Sequence, residues 1–257
     1  MTDIIDWGQL TLFLFVTARV SGFILFNPIF GRSNIPAVFR AGMVLVLSVF
    51  VTAVSEQQPA IPAGTVEFAV LMLLEMGIGF LLGMAVNFFF YIPQMGGSMV
   101  DTQMGMTMNQ MYDRGAQANL SVTGQILNTL MLLLFFAAGG HLTLLRMFLT
   151  SEQVVPFGQV SIGPSAFRLL LELFAECTLL GVKLCMPVLA AELIAQVGMG
   201  VLMKVIPQIN VFVINLELKI IVGLALLLVL MVPFSDFLLQ AEAAMLASLH
   251  DLLALTG

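Results

Sequence analysis

The chain has 257 residues, of which 60% are hydrophobic and only 9% are charged, and its mean hydropathy is +1.07. Soluble domains carry about 25% charged residues, so this composition excludes an ordinary soluble protein and predicts a chain that lies in or against a membrane. The formal net charge is −6 and no cluster of Lys and Arg occurs, which excludes nucleic-acid binding because that needs basic side chains to neutralise phosphates.

Six long apolar runs predict an all-helical, membrane-associated fold. Each run is near or beyond the ~20 residues that span a bilayer, and helices are expected there because every backbone N–H and C=O must be paired without water. Turn residues separate the runs, a break is predicted at 93–97, and Pro187 is expected to kink the fifth run rather than end it. In chain order the runs cover 10–30, 38–54, 66–91, 121–149, 166–205 and 211–232.

The two parts of the chain differ in pattern. The first part, to about Phe157, has short runs separated by loops, and Gly79 and Gly83 predict a close helix approach within the third run. From residue 166 onward the pattern predicts two long helices folded about one turn at 206–210. The closing stretch, 235–255, has apolar positions at helical spacing and predicts an amphipathic helix on a partner or an interface.

Charged side chains inside the apolar runs need a partner. A central Arg, Lys or Asp costs about 2.5 to 3.5 kcal/mol on insertion scales, so these groups must face protein or water. Some can snorkel from helix ends, but Arg19 and Glu75 lie near the middle of their runs. Such groups serve as an ion path in a transporter or pair across helices in a multi-subunit assembly, and the residues leave both open. The set comprises Arg19, Arg40, Arg146, Arg168, Lys183, Lys204, Lys219, Glu67, Glu75, Glu172, Glu176, Glu192 and Glu217.

A methionine-rich segment is the most distinctive feature. Residues 95–111 read MGGSMVDTQMGMTMNQM, in which polar residues such as Asp101 and Gln103 alternate with methionine. Methionine is flexible and adapts to changing surfaces, so this composition suits a surface that seals a pore and reseals around a passing polypeptide. Gap-filling in a packed core is the alternative, and the polar residues favour a lining surface.

Catalytic signatures do not occur in the sequence. It has no G-x-x-x-x-G-K-[ST] phosphate loop, and His141 and His250 each lack a second metal ligand at i+3 or i+4. Cys177 and Cys185 are eight residues apart in one helical run, about 12 Å along its axis, so no disulfide is expected. We therefore expect no enzyme activity, no cofactor and no metal site.

Four blocks of distinctive residues occur in chain order. They are ARVSGF, NPIFG, IP and RAG within 18–42, GSMVDTQMG at 97–105, GGH with its followers at 139–156, and IPQINVF at 206–212. The third block contains Gly139-Gly140-His141, followed by Ser151 and Pro156. Together the blocks resemble the flagellar biosynthetic protein FliR family and its virulence type III secretion counterparts. The chain departs from the family pattern at Arg114, Lys204 and Glu217.

The resemblance implies a subunit of the core export gate of a flagellar type III secretion apparatus, whose helices spiral around a channel. Residues 1–165 are then a FliP-like part, and residues 166–257 are a FliQ-like hairpin. The implied partners are FliP-like and FliQ-like membrane subunits, FlhB-like and FlhA-like components, and unfolded polypeptide substrates, at the bacterial inner membrane in the flagellar basal body.

The resemblance also assigns roles to residues. A plug loop at about 105–119 closes the channel, with pore-lining candidates Met104, Met106, Met108, Met111, Tyr112 and Asp113. Buried charges pair at subunit contacts, and the candidates are Arg19, Glu75, Glu192 and Lys204. The hairpin turn uses Pro207, Gln208, Asn210 and Phe212.

Two rival functions remain at this point. A secondary transporter or ion channel would use Arg19, Glu75 and Glu192 as a relay and would conduct ions by itself. A membrane scaffold with no pore role would tolerate deletion of 105–119 with secretion unchanged.

Overall fold

The described part of the computed structural model is all-helical, which confirms the predicted fold class. It covers residues 7–31, 35–55, 57, 62, 64–106, 121–160, 162–205 and 211–255. The helices are α1 (Trp7–Phe26), α2 (Ala37–Val54), α3 (Thr65–Met104), α4 (Val122–Ala137), α5 (Gly140–Val154), α6 (Pro164–Val205), α7 (Val211–Val229) and α8 (Met231–Ala254).

Five of the described helices are long and apolar enough to cross a membrane, namely α1, α2, α3, α6 as far as Leu202, and α8. Helices α4 and α5 pass the same test together, but they are bent by 63° at their junction. Gly139 forms this bend at φ +78°, a conformation that glycine adopts because it has no Cβ. The predicted apolar run at 121–149 therefore contains two helices that meet at Gly139.

Two prolines lie inside helices, and neither of them ends its helix. Pro93 lies inside α3, which continues to Met104, so the predicted break at 93–97 is wrong. A proline is tolerated in an apolar helix where neighbouring groups satisfy the carbonyl that it leaves free. Pro187 lies inside α6, and the helix continues to Val205, which confirms that this proline does not end it.

Helices α7 and α8 are separated only by Leu230. Backbone hydrogen bonds cross this residue, from the Leu230 N–H to the Leu226 carbonyl at 2.8 Å and from the Phe234 N–H to the Leu230 carbonyl at 2.9 Å. The predicted amphipathic pattern of α8 is confirmed by its buried positions, which include Leu238, Ala241, Met245, Leu249 and Leu252. The turn predicted at 206–210 lies outside the described residues, so the hairpin stays a prediction.

The chain forms two compact units. Unit 1 comprises Met1–Phe89, Phe136–Ala175 and Glu242–Gly257, and unit 2 comprises Phe90–Phe135 and Glu176–Ala241. Their boundaries fall within α3, α4, α6 and α8, so each unit draws helical segments from both sides of residue 165. The division into a FliP-like and a FliQ-like part rests on resemblance to other proteins and stays a prediction.

In unit 1, glycines bring α1 and α3 to backbone contact. A Cβ at Gly79 would collide with the backbone oxygen of Arg19, and a Cβ at Gly22 would collide with that of Met76. A Cβ at Gly83 would lie 3.1 Å from the backbone oxygen of Phe23. The close approach predicted from Gly79 and Gly83 is confirmed, and it brings the backbones beside Arg19 and Glu75 together.

Candidate functional site

A buried ion pair joins α1 to α3 in unit 1. The Arg19 Nε donates to Glu75 Oε2 at 2.7 Å, and the two side chains are 1% and 0% exposed. Arg19 also forms the crowded backbone contact with Gly79, which lies four residues after Glu75 in α3. This packing excludes water from both charges.

The last turn of α5 and the chain that follows it supply the remaining partners of Arg19. The Arg19 Nη1 donates to Ser151 Oγ at 3.2 Å, and both Nη atoms donate to the Val155 carbonyl at 3.1 Å. The centre of the guanidinium lies 4.3 Å from the centroid of the Phe157 ring, within the range of a cation–π contact. The guanidinium is thus surrounded by acceptors and an aromatic face.

Glu75 is satisfied at both oxygens. Its Oε1 accepts a hydrogen bond from the Gly158 N–H at 2.8 Å, while Oε2 binds Arg19. Gly158 has φ +80°, and a Cβ there would lie 3.0 Å from the Phe15 ring, so glycine is required on both grounds. Gln57 holds the same turn, because its Oε1 accepts from the Phe157 N–H at 3.1 Å.

The prediction that Arg19 and Glu75 pair with neighbouring subunits is wrong, because they pair with each other. The two residues are 56 positions apart, and a sequence pattern does not reveal which helices meet. Glycines such as Gly22 and Gly79 are the sequence signal for this pairing, because their contacts place α1 and α3 side by side. Ser151 was part of a resemblance block but carried no predicted role.

Glu192 and Lys204, the other two predicted charges, have different environments in unit 2. Glu192 is fully buried, and neither of its oxygens has a hydrogen-bond partner among the described residues. The positive charge of Lys219 in α7 acts on it electrostatically. Lys204 is exposed near the end of α6. Subunit pairing of these two residues stays a prediction, and for Glu192 it requires α6 to rearrange.

In unit 2, Asp101 in the methionine-rich segment is joined to the start of α4. Asp101 in α3 accepts a hydrogen bond from Ser121 Oγ at 2.6 Å and from the Thr123 N–H at 3.2 Å. Ser121 in turn accepts from the Gly124 N–H at 2.8 Å, so both side chains cap the N-terminus of α4. The segment between Asp101 and Ser121 therefore begins and ends at one fixed point.

Close packing against α4 and α7 holds the end of α3 in place. A Cβ at Gly97 would collide with the backbone of Gly124, so α3 and α4 are in backbone contact near the capped N-terminus of α4. Met104 is fully buried, and a Cβ at Gly223 would lie 2.5 Å from its Cε, so the thioether fills the space that this glycine leaves in α7. Gly105 then ends α3 at φ +80°.

The predicted lining residues have three outcomes. Met104 is packed against α7 rather than lining a surface, and Asp101 is a buried helix cap, so both predictions are wrong. Met106 is half-buried at the end of the described segment. The others lie outside the described residues: Met108, Met111, Tyr112 and Asp113 of the loop, Pro207, Gln208 and Asn210 of the turn, and the side chain of Phe212.

Exposed charges follow the length of α6. Arg168 and Glu172 are exposed and four residues apart in unit 1, so they share a helix face. Glu176 and Lys183 are exposed and seven residues apart in unit 2, again on one face. All four lie in a helix apolar enough to span a membrane, beside exposed apolar side chains such as Ile194.

No group of three or more His, Cys, Asp or Glu in the described ranges is arranged to hold a metal ion. Cys177 and Cys185 are buried and free, which confirms that they form no disulfide.

Comparisons with known proteins point to one group. Residues 10–244 match the family described as bacterial export proteins, family 1. The chain is 28% identical to the flagellar biosynthetic protein FliR of Bacillus subtilis (strain 168), over 100% of this chain and 99% of that protein. It is 27% identical to FliR of Escherichia coli (strain K12), over 93% of each.

A relative from a virulence system is also similar. The chain is 25% identical to the Yop proteins translocation protein T of Yersinia pestis, over 89% of this chain and 88% of that protein. The similarity thus extends across the whole chain in flagellar relatives and most of it in the virulence relative.

Proposed function

The chain belongs to the bacterial export proteins, family 1, which includes FliR and translocation protein T, and from this membership we propose that it forms part of the gate of a flagellar export apparatus. It is a membrane component of a type III export apparatus. In the proposal it assembles with FliP-like and FliQ-like subunits around a channel for unfolded polypeptides. FlhB-like and FlhA-like components act beside it at the inner membrane, in the flagellar basal body.

The observation that carries the proposal is the set of exposed charges on α6. Arg168, Glu172, Glu176 and Lys183 lie on a helix of membrane-spanning length and composition. Helix α6 has 42 residues, about twice the ~20 that span a bilayer, so the cost of roughly 2.5 to 3.5 kcal/mol applies to those of the four charges that lie within the lipid layer. Neighbouring protein subunits with opposite charges remove this cost, so the exposed face of α6 favours a chain that functions within an assembly.

The closing role rests on the two residues that flank the predicted plug loop at 105–119. Asp101 and Ser121, on either side of the loop, are hydrogen-bonded to each other, and Gly97 packs this part of α3 against α4. A segment anchored at both ends can move as a unit without separating the helices that carry it. In the proposal, residues 105–119 close the channel at rest and make room when a polypeptide passes.

The chain supplies structure rather than chemistry in this proposal. The energy for transport comes from other components, and the buried charges of Arg19 and Glu75 in unit 1 form an ion pair within the chain. The FliP-like part at 1–165 and the FliQ-like hairpin at 166–257 would each continue the spiral of the corresponding subunits.

Crosslinking to a stalled substrate tests the gate. Met106→Cys is introduced into the full chain within the co-expressed complex, with Met76→Cys in α3 of unit 1 as the matched control, since Met76 is 38% exposed. The native cysteines are buried and give a low background. We expect a disulfide between the stalled polypeptide and Met106→Cys only. Equal crosslinking at both positions, or none at Met106→Cys, contradicts the proposal.

The transporter alternative is tested with the chain alone. Arg19 and Glu75 are fully paired with each other and with the turn at 155–158, an arrangement that favours a fixed structural role over a relay. Glu192 is the one predicted relay carboxylate described without a hydrogen-bond partner. Proton or ion flux in liposomes that contain only this chain, lost in Glu192→Gln, would favour the transporter.

A further inference from the structure

Glu192 is a buried carboxyl of α6 for which the described part of the chain supplies no hydrogen-bond partner. The residue is 0% exposed, and both of its carboxyl oxygens are left without a hydrogen bond. Native proteins pair the great majority of their buried polar groups, so an unpaired one requires an explanation. An isolated buried carboxylate is so costly that such a group takes up a proton and becomes neutral.

A cavity between α6 and α7 begins one helical turn after Glu192, within unit 2. Its volume is about 320 Å³, enough for several water molecules at ~30 Å³ each. Ala195, Gln196 and Met199 line it from α6, and they lie three, four and seven residues after Glu192. Residues at these spacings share one helix face, so Glu192 lies on the face of α6 that borders the cavity.

Lys219 of α7 lines the same cavity. Its positive charge acts on Glu192 electrostatically, although it donates no hydrogen bond to either carboxyl oxygen. The ammonium of Lys219 and the amide of Gln196 give water hydrogen-bonding partners that a purely apolar cavity lacks. Gln196 is also exposed, so the cavity opens to the surface of the chain.

The other acidic groups on the helices of unit 2 are engaged elsewhere or exposed. Asp101 of α3 accepts a hydrogen bond from Ser121 at the start of α4. Glu217 of α7 and Asp236 of α8 are exposed. Among the described residues, Lys219 is the charged group that acts on Glu192.

We propose that Glu192 is a proton-binding site, with the cavity beside Lys219 as its route of access. In this packing Glu192 holds a proton as a neutral carboxylic acid. When the O–H bond breaks, the proton passes to water in the cavity, and the Lys219 ammonium stabilises the carboxylate that remains. The site is independent of gate formation. It is also distinct from proton flux, which requires access from both sides of a membrane.

Infrared spectroscopy of the full chain in nanodiscs at neutral pH tests the bound proton. A protonated carboxyl has a C=O stretch that a carboxylate lacks, and this band shifts in heavy water. We expect the band in the wild-type chain and its loss in Glu192→Gln. Glu176→Gln is the matched control, because it changes an exposed carboxyl on the same helix, and it should retain the band.

The pH dependence of unfolding tests the same proton by a second route. A glutamate in water ionises near pH ~4.3, so above that pH the folded chain with Glu192 protonated binds one proton more than the unfolded chain. Stability then falls as the pH rises, until the folded chain also releases the proton. In that range the unfolding constant should increase about tenfold more per pH unit in the wild type than in Glu192→Gln. Equal slopes would contradict the proposal, and Glu176→Gln should follow the wild type.

Gly198→Leu tests the route of access. Gly198 lines the cavity, and a Cβ there meets no atom within 4 Å, so the new side chain enters the cavity without a backbone clash. The infrared band should then shift more slowly after transfer to heavy water. Gly200→Leu is the matched control, since its Cβ is equally free and Gly200 is not among the residues that line the cavity. Equal elution volumes in size-exclusion chromatography show that both variants are folded.

Three infrared results would overturn the proposal. A band that is absent from the wild type, or that persists in Glu192→Gln, would show that Glu192 does not hold the proton. Equal rates of the shift in Gly198→Leu and Gly200→Leu would place the route outside the cavity. Loss of the band on assembly with FliP-like and FliQ-like subunits would show that Glu192 is ionised against a neighbouring subunit, a result that leaves the proposed function standing.

Discussion

Removing one member of the buried ion pair should destabilise the isolated chain strongly. Glu75→Leu leaves the Arg19 Nε and the Gly158 N–H without acceptors in a site where both charged side chains are at most 1% exposed. Breaking a buried pair from one side costs about 3 to 5 kcal/mol, because the remaining charge stays buried and unpaired. Arg19→Met should have a cost of similar size, since it isolates the carboxylate.

The double variant Arg19→Met with Glu75→Leu removes both charges. Its loss of unfolding free energy should be much smaller than the sum of the losses in the two single variants. The remaining cost comes from the Gly158 N–H and the Val155 carbonyl, each about 1 to 3 kcal/mol when left without a partner. The two single changes should therefore be non-additive by about 3 kcal/mol or more. The assay is the free energy of unfolding of the purified full chain in detergent, without partner subunits.

Glu176→Leu is the matched control, because it removes an exposed carboxylate from a helix of similar character and should change the free energy of unfolding by less than about 0.5 kcal/mol. Additive effects of Arg19→Met and Glu75→Leu would refute the reasoning. So would single variants that are stable alone and lose stability only in the assembled complex, since that result would place the pairing at a subunit contact.

Three further changes have defined outcomes. Gly79→Leu should separate α1 from α3 and lower the free energy of unfolding by about 1 to 3 kcal/mol, whereas Gly198→Leu, in open space, should leave it unchanged; equal effects would contradict the backbone contact. Asp101→Ala should cost about 1 to 3 kcal/mol and speed hydrogen exchange at the Thr123 N–H, and an unaltered exchange rate would rule out the cap. Gly139→Ala should cost about 1 to 2 kcal/mol from the positive φ alone, because no atom lies within 4 Å of the new Cβ, and a larger loss in thermal unfolding would reveal a packing role.

The sequence alone determined the class of the fold and the family. Long apolar runs require helices wherever water is absent, so the all-helical fold and the candidate spans could be predicted from composition and length. The ordered blocks were sufficient to suggest the family that the comparisons then supported. Boundaries were predicted less well, since Pro93 does not end α3 and Gly139 does bend the run at 121–149.

Only the tertiary structure decided the partners of the polar groups. Arg19 and Glu75 meet because Gly22 and Gly79 allow two helices to touch, and Asp101 reaches Ser121 because Gly97 packs against α4. Periodicity indicates which face of a helix is apolar, but it carries no information on which other helix covers that face. For Arg19, a charge inside an apolar run indicated that a partner was needed, and packing between distant segments determined that the partner lies in the same chain.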